Sequence, residues 1–340
     1  SVGIDGIRFD TPLYVDHPFW NRFLHDSLPA SPGLKTHALT TGKTHFYTFG
    51  ETWVHGEAYR AEGEQKALKY LGTPEKPEMD GLLHFPMQQS IQRVFAGGAP
   101  TSELTYRLQL EDSMFQAPWQ RLHFIDNHDM PRFRTTASVE ATRQALAFIL
   151  TIPGIPVIYY GTEQDLLGTR ENLFNKQDTL SSHFQMLRDL IALRKSSKAF
   201  TRGKLTPVAD DAWQTGLLAY ELAYKNEKKW VFFNTSESGI QTGNLRINAK
   251  SGKLRILSKQ GSANLGVIEN GILPYVHLGP KAFVIVELAT GAGEPLPSTA
   301  QFFPTQLPDT LFESTLVLSG KATGFDSLKL LIDGLDALST

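Results

Sequence analysis

The chain has 340 residues, a formal net charge of -2, 41% hydrophobic and 20% charged residues. That composition suits two ordinary domains, or a barrel with an appendage, and lacks the charge excess that draws proteins to nucleic acid or anionic membrane. The absence of cysteine excludes disulfides, thiolate metal sites and a cysteine nucleophile, and leaves the compartment open.

No apolar run approaches the roughly 18 residues needed to cross a bilayer. The opening Ser1-Val2-Gly3-Ile4-Asp5-Gly6 lacks the basic leader and apolar middle of a signal peptide, so the chain is expected to begin inside a domain. Up to about residue 195, short apolar runs alternate with helix-period segments, the pattern of βα units around a parallel sheet. Strands are expected at residues 6–10, 45–51, 81–86, 121–127 and 156–161. Helices are expected within 57–71 and at 88–95, 139–150 and 182–194, the last with Phe184, Leu187, Leu190, Ile191 and Arg194 on one stripe.

After Lys204 the pattern changes to strands alone, at 217–224, 230–234, 254–257, 272–277 and 282–288, separated by Gly, Asn, Lys and Ser turns. This reads as a small antiparallel β-sandwich, with Trp213 and Trp230 expected in its core. Residues 290–308 carry four prolines and two glycines and read as a linker, followed by strand-like 315–318 and 328–332. A tail of about fifty residues with so few strands does not readily close a core of its own. The expected division is therefore 1–204, 205–289 and 290–340.

Three segments concentrate chemistry. In Gly3-Ile4-Asp5-Gly6-Ile7-Arg8-Phe9-Asp10, strand geometry puts Arg8 and Asp10 on one face and Ile7 and Phe9 on the other. A guanidinium two residues before a carboxylate can hold it ionised and aimed, as a nucleophile requires; the plainer alternative is a structural ion pair at a strand end. In Tyr47-Thr48-Phe49-Gly50-Glu51-Thr52-Trp53 a strand ends in a glutamate among aromatic rings, where the ionised form is disfavoured and the acid can donate a proton; the alternative is a cap or surface residue. In His123-Phe124-Ile125-Asp126-Asn127-His128-Asp129 an apolar strand finishes in four consecutive polar side chains, which suits a polyhydroxylated ligand. An Asx-rich turn is the alternative there, and adjacent His and Asp on a strand chelate a metal poorly.

Taken together, three strands each deliver a carboxylate at the C-terminal end, the face on which βα barrels build their sites. With GIDGIRFD, FGETW and FIDNHD in this order, the sequence resembles the α-amylase superfamily, glycoside hydrolase family thirteen. Gly154-Ile155-Pro156-Val157-Ile158-Tyr159-Tyr160-Gly161-Thr162-Glu163 looks like that family's eighth barrel strand and its loop, and the resemblance runs from Gly3 to about Leu288.

The resemblance implies a partial (β/α)8 TIM barrel, about strands four to eight, followed by an antiparallel β-sandwich. It implies Asp10 as nucleophile, Arg8 as its orienting arginine, Glu51 as general acid/base, and Asp129 as the carboxylate that grips sugar hydroxyls beside His128. Asn127, Trp53 and Tyr14 join these as candidate substrate contacts, with Trp119 as a further aromatic. The implied reaction is double displacement on α-1,4-glucosidic bonds of starch-like glucans or maltooligosaccharides, with carboxyls about 5 to 5.5 Å apart. No cofactor is implied for the chemistry, and the substrate is the partner.

The departures carry weight too. Where many relatives have a Lys-His pair for acceptor sugars, this chain has Leu13 and Tyr14. The family's first three strands find no counterpart, nor does its first motif, which holds a calcium-binding asparagine. A structural calcium thus has its usual ligands outside this sequence, and a missing N-terminal barrel segment is expected, without which the chain should be inactive or unstable. A transglycosylase with the same trio, or a non-catalytic carbohydrate-binding fragment, are the competing expectations.

Overall fold

The computed structural model describes residues 3–174 and 178–289, and beyond them only the strand segments 302–304, 320–322, 329–332 and 335–339. Two compact units result, residues 1–289 and 290–340.

The first unit opens with βα alternation. Strands β1 (Gly6–Phe9), β2 (Tyr47–Gly50), β3 (Gly81–Leu83), β4 (Arg121–His123) and β5 (Ile155–Pro156) form one parallel sheet in sequential order. Between and after them run α1 (His17–His25), α2 (Leu34–Thr40), α3 (Glu62–Leu68), α4 (Phe85–Ile91), α5 (Ser102–Met114), α6 (Val139–Thr151), α7 (Ser182–Ser196) and α8 (Lys198–Arg202).

The five expected strands are present but shorter. Residues 84–86 leave the sheet because His84 caps α4, its Nδ1 accepting the Met87 N–H at 2.9 Å, while Pro86 occupies a first-turn position that needs no donor. Four helices, α1, α2, α5 and α8, were not anticipated. In α5 Glu103, Arg107 and Glu111 recur every four residues along the buried side, next to Leu104 and Leu108, so charge runs where an apolar stripe would and the period is hard to see.

The sheet's two faces have different cores. Phe9 and Leu82 pack with Trp20, Leu24, Tyr70 and Met79 beneath the first helices. On the other face Tyr47, Phe49, Leu83, Leu122 and Phe124 cluster, on the side of the strands that also carries Arg8 and Glu51.

After α8 come β6 (Lys204–Ala209), β7 (Leu217–Tyr224), β8 (Glu227–Asn234), β9 (Ile240–Arg246), β10 (Leu254–Gln260), β11 (Ala263–Leu265), β12 (Ile272–Leu278) and β13 (Phe283–Leu288). They form two antiparallel sheets, β10-β13-β8-β7-β6 and β11-β12-β9. Alternate residues of the larger sheet face two cores. Trp230, Phe232, Val284 and Val286 meet Leu273, Val276 and Leu278 of the smaller sheet. Tyr220, Val231, Phe233, Phe283 and Ile285 join Phe95, Phe148 and Leu187 of the helical layer. Burial on both faces explains the unbroken apolar runs of β8 and β13, and one core therefore crosses residue 204.

Trp230 is buried as expected, but Trp213 is not: it is 91% exposed, in a turn where Asp211 Oδ1 accepts the Trp213 and Gln214 N–H groups. That Asx turn lifts the ring away from the sheet. Asn234-Thr235-Ser236, which fits a glycosylation sequon, ends β8 with Asn234 fully buried and its amide donating to the Ser238, Leu278 and Gly279 carbonyls.

In the second unit, Phe302–Pro304 pairs with Gly320–Ala322 and Lys329–Ile332 with Leu335–Ser339, both antiparallel. The expected strand at 328–332 coincides with one of these; the one at 315–318 and most of the expected linker lie outside the described residues. No helix among the described residues is long and apolar enough to cross a membrane.

A buried polar cluster pins α5 to the sheet. Glu111 Oε1 lies 3.3 Å from His84 Nε2 and 3.6 Å from His123 Nδ1, and its Oε2 is 3.4 Å from the Arg121 guanidinium. The Met87 N–H forces His84 to carry its proton on Nε2, and the Pro153 carbonyl, 3.1 Å from His123 Nε2, forces the His123 Nδ1 lone pair toward Glu111. Burial pushes Glu111 up to about 8 and His84 down to about 3, so the pocket favours a protonated Glu111 between neutral imidazoles.

A carboxyl whose folded pKa is raised contributes stability that is fully present at low pH and lost as pH rises toward that value. Below about pH 6.5 the buried neutral His84 and His123 work in the opposite sense, so unfolding midpoints should fall between about pH 6.5 and 8. Glu111→Gln should flatten that slope when melting temperature is measured against pH; an unchanged slope would show that Glu111 is ionised in the fold.

Candidate active site

Asp10 and Glu51 immediately follow β1 and β2. Phe9 is in register with Gly50, and the Glu51 N–H donates to the Phe9 carbonyl at 2.9 Å, carrying the ladder one step past the strands. The two carboxylate-bearing residues therefore leave the sheet side by side. Phe9 is held below by Trp20, ring centroids 5.0 Å apart, and this anchoring turns Arg8 and Asp10 to the opposite side. A side chain at Gly50 would run into Met79 Sδ at 2.5 Å, so the residue before Glu51 has no room to be larger. Thr11 adopts left-handed φ 44° and ψ 46°, an outlier for a β-branched residue that costs about 1 to 3 kcal/mol, and its N–H is directed to the Asp10 carboxylate.

Arg8 binds both acids: its Nη2 is 2.6 Å from Glu51 Oε1 and 3.6 Å from Asp10 Oδ1. The two differ sharply in exposure, with 3% of the Glu51 side chain and 70% of the Asp10 side chain open to solvent. Burial, reinforced by a hydrogen bond with Asp10, pushes the Glu51 carboxyl up to about 7 against the pull of Arg8. The same hydrogen bond, with Arg8, His128 and the Thr11 N–H, holds Asp10 below the ordinary carboxylate range. Below about pH 7 the pair is thus a protonated Glu51 beside an ionised Asp10. Both carboxyls lie against the same Arg8 nitrogen, which draws them together.

The third segment follows β4. His128 Nε2 is 3.0 Å from Asp129 Oδ2, and Arg170 Nη2 is 3.1 Å from Asp129 Oδ1. His128 also lies close enough to Asp10 to act on its charge. Asn127 shapes the turn: its Oδ1 accepts the Asp129 N–H at 2.9 Å, while its Nδ2 is shut away from solvent. Asp126 is buried, and its Oδ2 accepts the Phe133 N–H at 2.8 Å.

Trp53 is half exposed, its ring stacked on Phe85 at 5.1 Å. Tyr14 lies in the short turn Pro12–Tyr14 beyond Asp10 with its ring in solvent. Trp119 precedes β4 and lines a hollow with Lys35, His45, Tyr47 and Asp80, at the N-terminal ends of the strands and away from the carboxyl pair. Among the described residues no group of three or more His, Asp and Glu side chains is placed to hold a metal ion. Sequence reasoning did not single out Arg170, Arg132 or the backbone of Thr11. A single arginine in a loop carries no periodicity or spacing, and a left-handed threonine has no composition signal.

An α/β protein with an arginine-bridged carboxyl pair at the C-terminal ends of neighbouring parallel strands is the class these features define. Residues 1–189 match the family model of the α-amylase catalytic domain, and the chain belongs to the α-amylase family. It is 32% identical over 213 residues to a cyclomaltodextrin glucanotransferase of Paenibacillus macerans, covering 61% of this chain and 27% of the relative. It is 26% identical over 292 residues to an α-amylase of Niallia circulans, covering 80% and 50%.

Among solved structures, a cyclomaltodextrin glucanotransferase with a three-domain arrangement aligns at TM-score 0.68 and 22% identity, over 84% of this chain and 57% of that one. The α-amylase of Geobacillus thermoleovorans, complexed with acarbose, aligns at TM-score 0.66 and 20% identity, over 84% and 60%. These likenesses show a shared fold. The chain spans 27% and 50% of the length of the two curated relatives.

Carbon-13 NMR of the Glu51 carboxyl should give a titration midpoint near 7. Arg8→Met should move it upward, because the cation that favours the ionised form is gone. A midpoint in the ordinary glutamate range would contradict the burial and pairing described.

Proposed function

We propose that this chain carries the catalytic residues of a retaining enzyme acting on α-1,4-glucosidic bonds of starch-like glucans or maltooligosaccharides. The observation that carries the reading is the asymmetry of the two carboxyls bridged by Arg8: one buried and pushed up to about 7, the other exposed and held below the ordinary carboxylate range. A site with a proton donor and an anion side by side has both reagents that glycosidic cleavage needs. Glu51 donates its proton to the glycosidic oxygen as Asp10 attacks the anomeric carbon, giving a glycosyl ester and a released sugar. Glu51, now ionised, removes a proton from an incoming hydroxyl, which displaces Asp10 and restores the starting states. Asp129 and His128 grip the hydroxyls of the ring as it flattens, and Trp53 and Tyr14 offer aromatic surface to neighbouring sugars. Contact of both carboxyls with the one Arg8 nitrogen supports retention, since inverting pairs stand about 6.5 to 9.5 Å apart to admit water.

In the same reading, β1 to β5 are strands four to eight of a (β/α)8 barrel and residues 205–289 a β-sandwich. Their sequential parallel order and the two-sheet packing support this. A second reading, transfer to a sugar acceptor rather than to water, is favoured by the naming of several relatives as cyclomaltodextrin glucanotransferases. A structural calcium, if one is bound, would take ligands outside this chain.

In the full-length protein, Asp10→Asn and Glu51→Gln should each remove nearly all turnover of maltotriose. Retention within about tenfold, a barrier change of about 1.4 kcal/mol, would reject the assignment. Proton NMR of the first product should show the α anomer; the β anomer would exclude double displacement. Oligomers longer than the substrate would mark transfer, and glucose and maltose alone hydrolysis.

A further inference from the structure

The loops after β4 and β5 are laced together by two arginines that run in opposite directions. Arg132, fully buried in the β4 loop, donates through Nη2 to the Tyr160 carbonyl at 2.6 Å and through Nε to the Gly168 carbonyl at 3.2 Å. Its guanidinium sits 4.0 Å over the Tyr159 ring and 3.4 Å from Thr162 Oγ1. The segment that follows β5 is thereby fixed by two carbonyls, a hydroxyl and a ring on one cation.

Arg170, two residues beyond Gly168, makes the return connection. Its Nε donates to the His128 carbonyl at 3.3 Å and its Nη2 to Asp129 Oδ1 at 3.1 Å. The remaining Asp129 oxygen is 3.0 Å from His128 Nε2. Each carboxylate oxygen of Asp129 thus has one cationic or imidazole partner, and the two partners come from different loops. Arg170 is 69% exposed and Asp129 33%. An ion pair that open adds little to stability, so its consequence is the orientation it imposes. A guanidinium fork on a carbonyl and a carboxylate of consecutive residues fixes both backbone and side chain, which a lysine's single point charge does not.

We propose that Arg170 is a positioning residue for the reaction, holding the Asp129 carboxylate in the rotamer that meets the sugar ring as its bond breaks, with Arg132 anchoring the loop that delivers it. This rests on the assignment of Asp129 to substrate gripping. The free lone pairs of Asp129 stay open to sugar hydroxyls, since each carboxylate oxygen accepts about two hydrogen bonds. Arg170 therefore aims Asp129 without consuming it.

The test uses the full-length protein and a soluble maltooligosaccharide, with Arg170→Ala, Arg170→Lys, Asp129→Asn and the double variant Asp129→Asn/Arg170→Ala. Arg170→Ala should lower kcat by about tenfold or more with KM changed less than about threefold, the pattern of an interaction realised in the transition state. Arg170→Lys should recover part of the loss, and the melting temperature of both should stay within about 2 °C of wild type.

Added to Asp129→Asn, Arg170→Ala should cost less than about twofold more, because residues acting through one another are not additive. Normal kcat in Arg170→Ala, a loss confined to KM, or a full multiplicative loss in the double variant would each overturn the proposal. Normal turnover in Asp129→Asn alone would reject the role of Asp129 itself, and that arm is read independently of Arg170.

Discussion

The arrangement depends on one guanidinium. Arg8 projects from β1 between two carboxyls, 2.6 Å from one and 3.6 Å from the other, and without it two acids in contact would be left to share a proton with no nearby countercharge. Its position follows from the strand: Phe9 is drawn into the cluster around Trp20, so the residues on either side of it are turned the other way. The hydrophobic anchoring of one side chain thus sets the electrostatics of its neighbours. Burial then makes the two acids unequal, because the chain at Glu51 is enclosed on all sides while Asp10, one residue beyond the strand, stands in solvent.

The layers behind the site explain why these strand ends hold still. The parallel sheet is covered on one face by the first helices and filled on the other by Phe49, Leu122 and Phe124. The later helices are in turn backed by the five-stranded antiparallel sheet through a shared core. Arg194 closes this junction: from α7 it donates to the carbonyls of Leu150, Ile152, Phe200 and Gly154, satisfying the end of α6 and the turn into β5. Sequence patterning put Arg194 on an apolar stripe with Leu187 and Leu190. The structure gives the reason: a charged residue on a buried face is tolerated where carbonyls converge on it.

The legible parts of the fold were those in which one period dominated. Alternation and apolar runs placed all five parallel strands and the main strands of the antiparallel sheets, and α6 and α7 followed their helical stripe. The failures have local causes. Residues 84–86 have the composition of a strand but are claimed by the cap of α4. Trp213 has the hydrophobicity of a core residue but is carried outward by the Asp211 turn. In α5, buried Glu103, Arg107 and Glu111 pair with groups on other elements, so charges interrupt the face that buries Leu104 and Leu108. At the candidate site, the residues in strand-end motifs were visible because several polar side chains follow a hydrophobic run. Arg170 reaches Asp129 only through the path of a loop, and nothing in the local sequence encodes that path.

On the proposed mechanism, the charges at the site are arranged for a reaction that creates a cation. With Glu51 protonated, Arg8 balances Asp10 and Arg170 balances Asp129, so a neutral glucan meets a site with little net charge. As the glycosidic bond breaks, positive charge grows on the sugar ring between two carboxylates whose positions are already fixed by their arginines. Dipoles and charges oriented beforehand stabilise a transition state without the cost of reorganising during it. The arginines weaken each carboxylate's field somewhat, and what they return is fixed direction. For Asp10 that direction comes from the same strand, two residues away; for Asp129 it has to come from another loop, which is why the β5 loop must be folded back and held by Arg132.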